Sequence, residues 1–258
     1  MASFAFKFRV AAAFAALSLV SPVVVAETLP TPCKVADANL SMSGKLDRIA
    51  GKLKKAQSLR ILVIGSSSTA GVGASAPTRA YTARFESELE ERLPGVDVNV
   101  VARGVSGETA VGAEARMEKE IGASRPDLVI WQIGTNDVYR KIDIAAFKSV
   151  AERGLADIAA AGLDAAMLDP QYVPQDEALY APYIAALKQI SAATGVPLAR
   201  RYEAMRAIAK SGGAAMISGD KLHMNDLGHA CVGEFLAEAL DRKIAPVPPA
   251  MVEAHRPT

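Results

Sequence analysis

Between residues 59 and 242, short apolar runs alternate with segments of helical character, with few interruptions. Leu59 to Ile64 is the clearest run, nearly unbroken and closed by Gly65. A strand that reads as a run rather than as an alternation is one buried on both faces. Similar strands are predicted at Asp97 to Ala102, Asp127 to Ile133, Leu163 to Leu168 and Pro197 to Arg200. Helices are predicted between them: Tyr81 to Arg92, stopped by Pro94-Gly95, then Ala110 to Ile121, and Ala145 to Ala161, ended by Gly162. Glu177 to Thr194, 202 to 210 and Gly228 to Arg242 complete the series, with a Gly-rich loop over 211 to 228. Such alternation implies right-handed crossovers and a mostly parallel, five-stranded sheet covered on both sides, an α/β fold in three α/β/α layers. In sheets of this kind, sites form outside the carboxyl ends of the strands.

The 258 residues suit one such domain, placed at 59–245, and neither an internal repeat nor a linker divides it. Ahead of it, 27–58 is read as an N-terminal segment whose helix spans Ser41 to Gln57 through Leu46, Ile49 and Leu53; 246–258 is read as a flexible, Pro-rich tail. The first 26 residues have Lys7 and Arg9 before an apolar stretch from Val10 to Val25, with Val24-Val25-Ala26 as small residues for cleavage. This is the pattern of a secretory signal peptide. The apolar run falls short of the ~20 residues that a spanning helix needs, which argues against an uncleaved anchor. Cleavage would remove two basic and no acidic residues, taking the formal charge from +1 to −1. A nearly neutral, exported protein, secreted or periplasmic, follows, without the clustered basic surface that nucleic acid requires. Lys52, Lys54 and Lys55 read as the solvated face of a helix. The two cysteines, Cys33 and Cys231, both lie in the mature chain. In an oxidising compartment they permit one disulfide between the N-terminal segment and the last helix; two buried free thiols are the alternative.

Four stretches hold the chemistry: Gly65-Ser66-Ser67-Ser68-Thr69, Ser106-Gly107-Glu108-Thr109, Gly134-Thr135-Asn136-Asp137 and Asp220-Lys221-Leu222-His223. The first three follow the first three predicted strands, and the fourth lies in the loop before the last helix, so one sheet edge collects all four. They supply a hydroxyl, backbone and amide donors, a carboxylate and an imidazole, the components of acyl transfer through a serine ester. A serine hydroxyl needs a base to take its proton, and histidine titrates in the useful range. Of three histidines, His255 is in the tail and His229 opens an apolar helix, where a structural or capping role is favoured; His223 sits three residues after Asp220 on a loop. Composition does not choose among Ser66, Ser67 and Ser68. Gly107 also suits a plain turn, Asn136 a helix cap, and Asp137 a brace for its loop. A P-loop is excluded, because its lysine is missing.

Taken together the stretches resemble the blocks of the SGNH (GDSL-type) hydrolases, in order and over roughly Arg60 to Leu240. The first block, usually Gly-Asp-Ser followed by Leu or Ile, is similar to Gly65-Ser66-Ser67, and this register implies Ser67 as the nucleophile. Arg103-Gly104-Val105-Ser106-Gly107-Glu108-Thr109 is similar to the second block, and implies Gly107 as an oxyanion donor. Gly134-Thr135-Asn136-Asp137 resembles the third, with the Asn136 amide as a further donor beside the Ser67 N–H. Asp220-Lys221-Leu222-His223 resembles the last, so the implied triad is Ser67, His223 and Asp220. The resemblance implies a flavodoxin-like SGNH hydrolase fold and a serine esterase acting on small acyl esters, O-acetyl groups on carbohydrate among them, with no cofactor and no metal. Two departures stand out: Ser66 replaces the usual Asp, and Ala102 an Asn common at the start of the second block. An O-acyltransferase on the same site, and a catalytically silent carbohydrate-binding module, are the competing readings. Gln132, Tyr139, Tyr172 and Tyr180 are further candidates for the pocket lining, with ordinary packing as the alternative. Oligomeric state is not legible in the sequence.

Overall fold

The computed structural model describes residues 33–55, 57–212 and 215–244. The expected signal peptide at 1–26 and the expected tail at 246–258, with His255, lie outside the described residues. Five strands, β1 (Ser58–Gly65), β2 (Asp97–Gly104), β3 (Leu128–Gln132), β4 (Asp164–Leu168) and β5 (Leu198–Ala199), pair in parallel in the order β2-β1-β3-β4-β5. β3 and β4 are buried at every position, as is β1 from Ile61 onward, which is why each reads as an apolar run. β2 is an edge strand, with only Val98 fully buried, and it continues two residues past its apolar stretch because Gly65 pairs with Gly104.

Nine helices lie among the described residues: α1 (Asp37–Leu40), α2 (Asp47–Leu53), α3 (Tyr81–Arg92), α4 (Ala110–Ser124), α5 (Thr135–Tyr139), α6 (Ile144–Ala160), α7 (Glu177–Thr194), α8 (Arg201–Lys210) and α9 (Asp226–Ile244). α3, α8 and α1 pack on α9 in one layer, whereas α4 packs on α6 and α6 on α7 in the other. The expected three-layer, flavodoxin-like fold is thus present. Among the described residues, no helix is long and apolar enough to cross a membrane.

Two local expectations need correction. Of the single helix expected over 41–57 only α2, Asp47–Leu53, is helical; residues 41–46 form an irregular join from α1, which lies ahead of the expected span. Tertiary partners take the backbone groups there: Lys243 donates to the Met42 carbonyl at 3.0 Å, and the Lys45 N–H to the Gly195 carbonyl at 3.2 Å. The stretch holding Asn136 is not an open loop but the single helical turn α5, too short to leave a periodic signal. Cys33 and Cys231 form a disulfide, and both are buried, so the N-terminal segment is fastened to α9.

The core is filled by Trp131, fully buried on β3. Its ring lies against Gly154 in the middle of α6, where an added Cβ would stand 2.6 and 2.7 Å from two ring carbons. A mid-helix glycine costs about 1 kcal/mol relative to alanine, so its presence here reflects that contact. Gly154→Ala is expected to destabilise the protein by about 1–3 kcal/mol through overpacking, despite the gain in helix propensity. Chemical denaturation measures this, and an unchanged or raised stability would show that the helix has room to retreat from the ring.

Candidate active site

The loop that holds Ser67 leaves β1 at Gly65 and turns back on itself, with the Ala70 N–H bonded to the Ser66 carbonyl and the Val72 N–H to the Ser67 carbonyl, each at 3.0 Å. The polar groups beneath it converge on Gln132, the last residue of β3. Gln132 Oε1 accepts the Ser66 N–H at 2.8 Å, the Ser66 hydroxyl at 3.0 Å and the Thr69 hydroxyl at 3.3 Å. The serine that stands in place of the expected Asp therefore keeps a bracing bond, now to a neutral amide. Gln132 is buried and forms the base of the loop, where it lines the small void beneath it.

Ser67 is 7% exposed, and its Oγ lies 3.0 Å from His223 Nε2 across 156 residues of chain. On the other side of the ring, His223 Nδ1 is 2.6 Å from Asp220 Oδ2. A carboxylate accepts only, so Nδ1 carries the proton and Nε2 offers its lone pair to the serine hydroxyl. The second oxygen, Asp220 Oδ1, accepts the N–H groups of Leu222 and His223, both at 2.9 Å, and the Ser218 hydroxyl at 2.7 Å. Desolvation pushes the Asp220 carboxyl up, but the bonds from Leu222, His223 and Ser218 outweigh it and hold the group well below the usual carboxylate range. Asp220 is thus an anion throughout the neutral range, fixed on the imidazole.

The third loop joins β2 to α4. Gly107 has φ +77°, a left-handed conformation open to glycine at little cost, and Arg140 donates to its carbonyl at 2.9 Å. Asn136 Nδ2 donates one hydrogen to the Glu108 carbonyl at 2.8 Å, which leaves its second hydrogen unused. Asp137 braces the same loop by accepting the Ala110 N–H at 3.0 and 3.2 Å on its two oxygens. Burial pushes the Asp137 carboxyl up, opposed by that Ala110 bond. Among the described residues, neither the Ser67 N–H nor the Gly107 N–H has an acceptor. All five residues singled out in the sequence stand at the carboxyl edge of the sheet: Ser67, Gly107, Asp220 and His223 on loops and Asn136 in the helical turn α5. Among the described residues, no group of His, Cys, Asp and Glu side chains is arranged to hold a metal ion.

Residues 32–246 match the non-GDSL lipase-like family. The chain belongs to that family. Its placement fits the missing Asp at Ser66, and the wider resemblance to SGNH hydrolases holds. The acetylxylan esterase of Geobacillus stearothermophilus is 37% identical over 68 residues, which are 26% of this chain and 31% of that protein. Esterase TesA of Pseudomonas aeruginosa is 29% identical over 126 residues, 47% of this chain and 61% of its own length. These matches span less than two thirds of either relative. A two-domain esterase active on acetylated mannans superposes with a TM-score of 0.67 at 20% identity, over 84% of this chain and 59% of that one, a likeness of fold.

Within this non-GDSL lipase-like chain the remaining sequence candidates sort by burial. Tyr172 and Tyr180 are core residues, whereas Tyr139 is exposed beside Arg140 and donates its hydroxyl to Asp176 at 2.6 Å. Gln171 was not legible as a site residue; its only signal is a polar side chain just beyond an apolar strand. His229 is fully buried: Nδ1 accepts the Tyr81 N–H at 3.0 Å, and Nε2 donates to the Val72 carbonyl at 3.1 Å. Both ring nitrogens are committed, so this histidine is structural. Burial lowers its pKa from the ordinary 6.5, against the raising effect of the Val72 bond. With the folded value depressed, the unfolded chain takes up the proton first, and stability falls as the pH drops below ~6.5. Unfolding free energy is expected to decline by up to ~1.4 kcal/mol per pH unit from this group, and His229→Gln to flatten the slope above the carboxylate range. Denaturant titrations between about pH 7 and pH 5.5 measure it; equal slopes in both proteins would remove His229 as the cause.

Proposed function

We propose that the protein is an exported serine esterase in which Ser67 is the nucleophile, His223 the base and Asp220 the group that orients and charges against the imidazole. The observation behind this reading is the continuous contact from Ser67 Oγ through the His223 ring to Asp220, at 3.0 and 2.6 Å, with the tautomer that a base requires. The same contacts favour an active hydrolase over a silent binding module. The reading takes 1–26 as a signal peptide and 59–245 as the catalytic domain, with the N-terminal segment fastened to it by the disulfide.

In the first step His223 Nε2 takes the Ser67 proton while Oγ bonds to the acyl carbonyl carbon. The carbonyl oxygen becomes an oxyanion, held by the N–H groups of Ser67 and Gly107 and by the free hydrogen of the Asn136 amide. The imidazolium then gives its proton to the leaving alcohol, and the Ser67 ester remains. Water repeats the sequence with His223 as base and releases the carboxylic acid. Each preorganised oxyanion donor lowers the barrier by about 3–4 kcal/mol.

The acyl part is read as small. The void beneath the nucleophile loop, lined by Gly65, Ser66, Thr109 and Gln132 and not by Ser67 or His223, holds only about 10 Å³ and offers no acyl tunnel through the base of the loop. Val72, Val105 and Tyr139, which follow or precede Ser67, Gly107 and Asn136 by at most five residues, are exposed apolar side chains available to a sugar ring. The acetylxylan and acetylmannan esterases among the similar proteins point to O-acetyl carbohydrate as the substrate class. On p-nitrophenyl acetate, Ser67→Ala and His223→Ala are each expected to lower kcat by at least ~10⁴-fold with the fold retained. Asn136→Ala is expected to lose about 10²–10³-fold in kcat. Full activity in folded Ser67→Ala would sink the assignment. Rates that rise with acyl length from acetate to octanoate would overturn the small-acyl reading.

A further inference from the structure

Three residues of the proposed machinery, Ser67, Asn136 and His223, come from three different loops, and their chain neighbours Ser68, Thr135 and Leu222 share one contact. All three touch the side chain of Gln171. Its Oε1 accepts the Thr135 hydroxyl at 3.1 Å and, over a long 3.5 Å, the Ser68 hydroxyl; its Nε2 donates to the Leu222 carbonyl at 3.3 Å. The orientation of the amide is fixed by that carbonyl, since the reverse would set two oxygens against each other. Gln171 is 1% exposed, so its bonds are made away from competing water.

The residue also stands on a firm base. Two positions earlier, the buried Asp169 accepts the Tyr202 N–H at 2.8 Å on Oδ1, and its carbonyl accepts Arg201 Nε at 2.8 Å. Four positions later, Gln175 Nε2 donates to the Lys221 carbonyl at 2.6 Å. Two glutamines of one segment thus hold the two consecutive carbonyls that lie between Asp220 and His223. That turn needs outside support. Lys221 is left-handed at φ +63°, a conformation that costs a side-chain-bearing residue roughly 1–2 kcal/mol, and the turn's own N–H groups are already taken up, those of Leu222 and His223 by Asp220 and that of Lys221 by the Ser218 carbonyl.

We propose that Gln171 is the positioning residue that holds the three loops in register, with Gln175 as its second hold on the His223 turn. The proposal rests on the reading of Ser67, His223 and Asp220 as the triad. Its chemistry is indirect: Gln171 touches no reacting atom but sets the 3.0 Å separation of Ser67 and His223 through the neighbours of both. Misplacement by about 1 Å at such a site costs up to ~10²-fold in rate.

The test measures kcat and KM on p-nitrophenyl acetate for Gln171→Met, Gln171→Glu and Gln175→Ala, beside wild type and Ser67→Ala. A fluorophosphonate titration counts competent sites in each preparation. Gln171→Met removes every polar contact, whereas Gln171→Glu keeps the acceptor for Ser68 and Thr135 and sets an oxygen against the Leu222 carbonyl. Both are expected to lower kcat per titrated site by roughly 10–100-fold with KM within about threefold. Gln175→Ala is expected to lower it a few-fold. Wild-type kcat per site in both Gln171 variants overturns the proposal, as does a loss that lies wholly in fewer titrated sites. If Gln171→Met is insoluble, unchanged kcat in the other two variants overturns it equally. Ser67→Ala separates the two layers: if it stays active the triad reading fails, and if it is dead while the glutamine variants keep full rates, only the positioning role fails.

Discussion

Because β1, β3 and β4 are buried on both faces, the polar groups of the site gather at and beyond the strand ends, and parallel pairing puts all the carboxyl ends on one edge. The site is a consequence of that arrangement. Ser66, Gln132, Asp169 and Gln171 each lie at or just beyond the end of a central strand, where the sheet first leaves room for polar side chains. The crossovers between strands bring Ser67 and His223 together across 156 residues, a contact that no local segment could hold.

What supports the nucleophile loop is neutral. Gln132 Oε1 collects three donors from Ser66 and Thr69 without adding charge beneath Ser67. A carboxylate there would act against an oxyanion forming above it, in surroundings that screen poorly. The anion in the proposed triad is instead Asp220, on the outer side of the His223 ring, where it acts on the imidazolium and lies far from the developing oxyanion. Directly beneath Ser67 the brace is an amide, and the carboxylate of the proposed triad stands on the far side of the imidazole.

The fold was legible because its signal is local. Runs such as Leu128–Gln132 announce a doubly buried strand with no knowledge of their partners. The irregular join between α1 and α2 was not, since the groups that break the helix belong to Lys243 and Gly195, far along the chain. α5 escaped for a different reason: five residues carry no period. In the site, the residue types and the edge were readable, but the choice of Ser67 among three serines came from family resemblance and not from physics. Gln132 and Gln171 were missed as supports because their partners lie 66 and 103 residues away, at Ser66 and Ser68. A lone buried glutamine has no signature until its contacts are known.

Between the nucleophile loop and the His223 turn, α9 provides a second connection, independent of the glutamines. Its first residue, Asp226, accepts the Ser75 N–H at 2.7 Å and the Ser75 hydroxyl at 2.6 Å. His229, one turn later, holds the Tyr81 N–H and the Val72 carbonyl, and Cys231 is bonded to Cys33. The chain downstream of Ser67 is therefore tied to the helix that begins just after His223, while Gln171 and Gln175 tie the same turn from the β4 side. Two anchors on opposite sides fix a turn in position and in rotation, which one could not. An imidazole that must accept a proton from one direction and return it to another needs both, since its lone pair is useful over a narrow range of angles. The hydrogen bonds gathered around this turn from Gln171, Gln175 and Asp220 are explained by that angular demand.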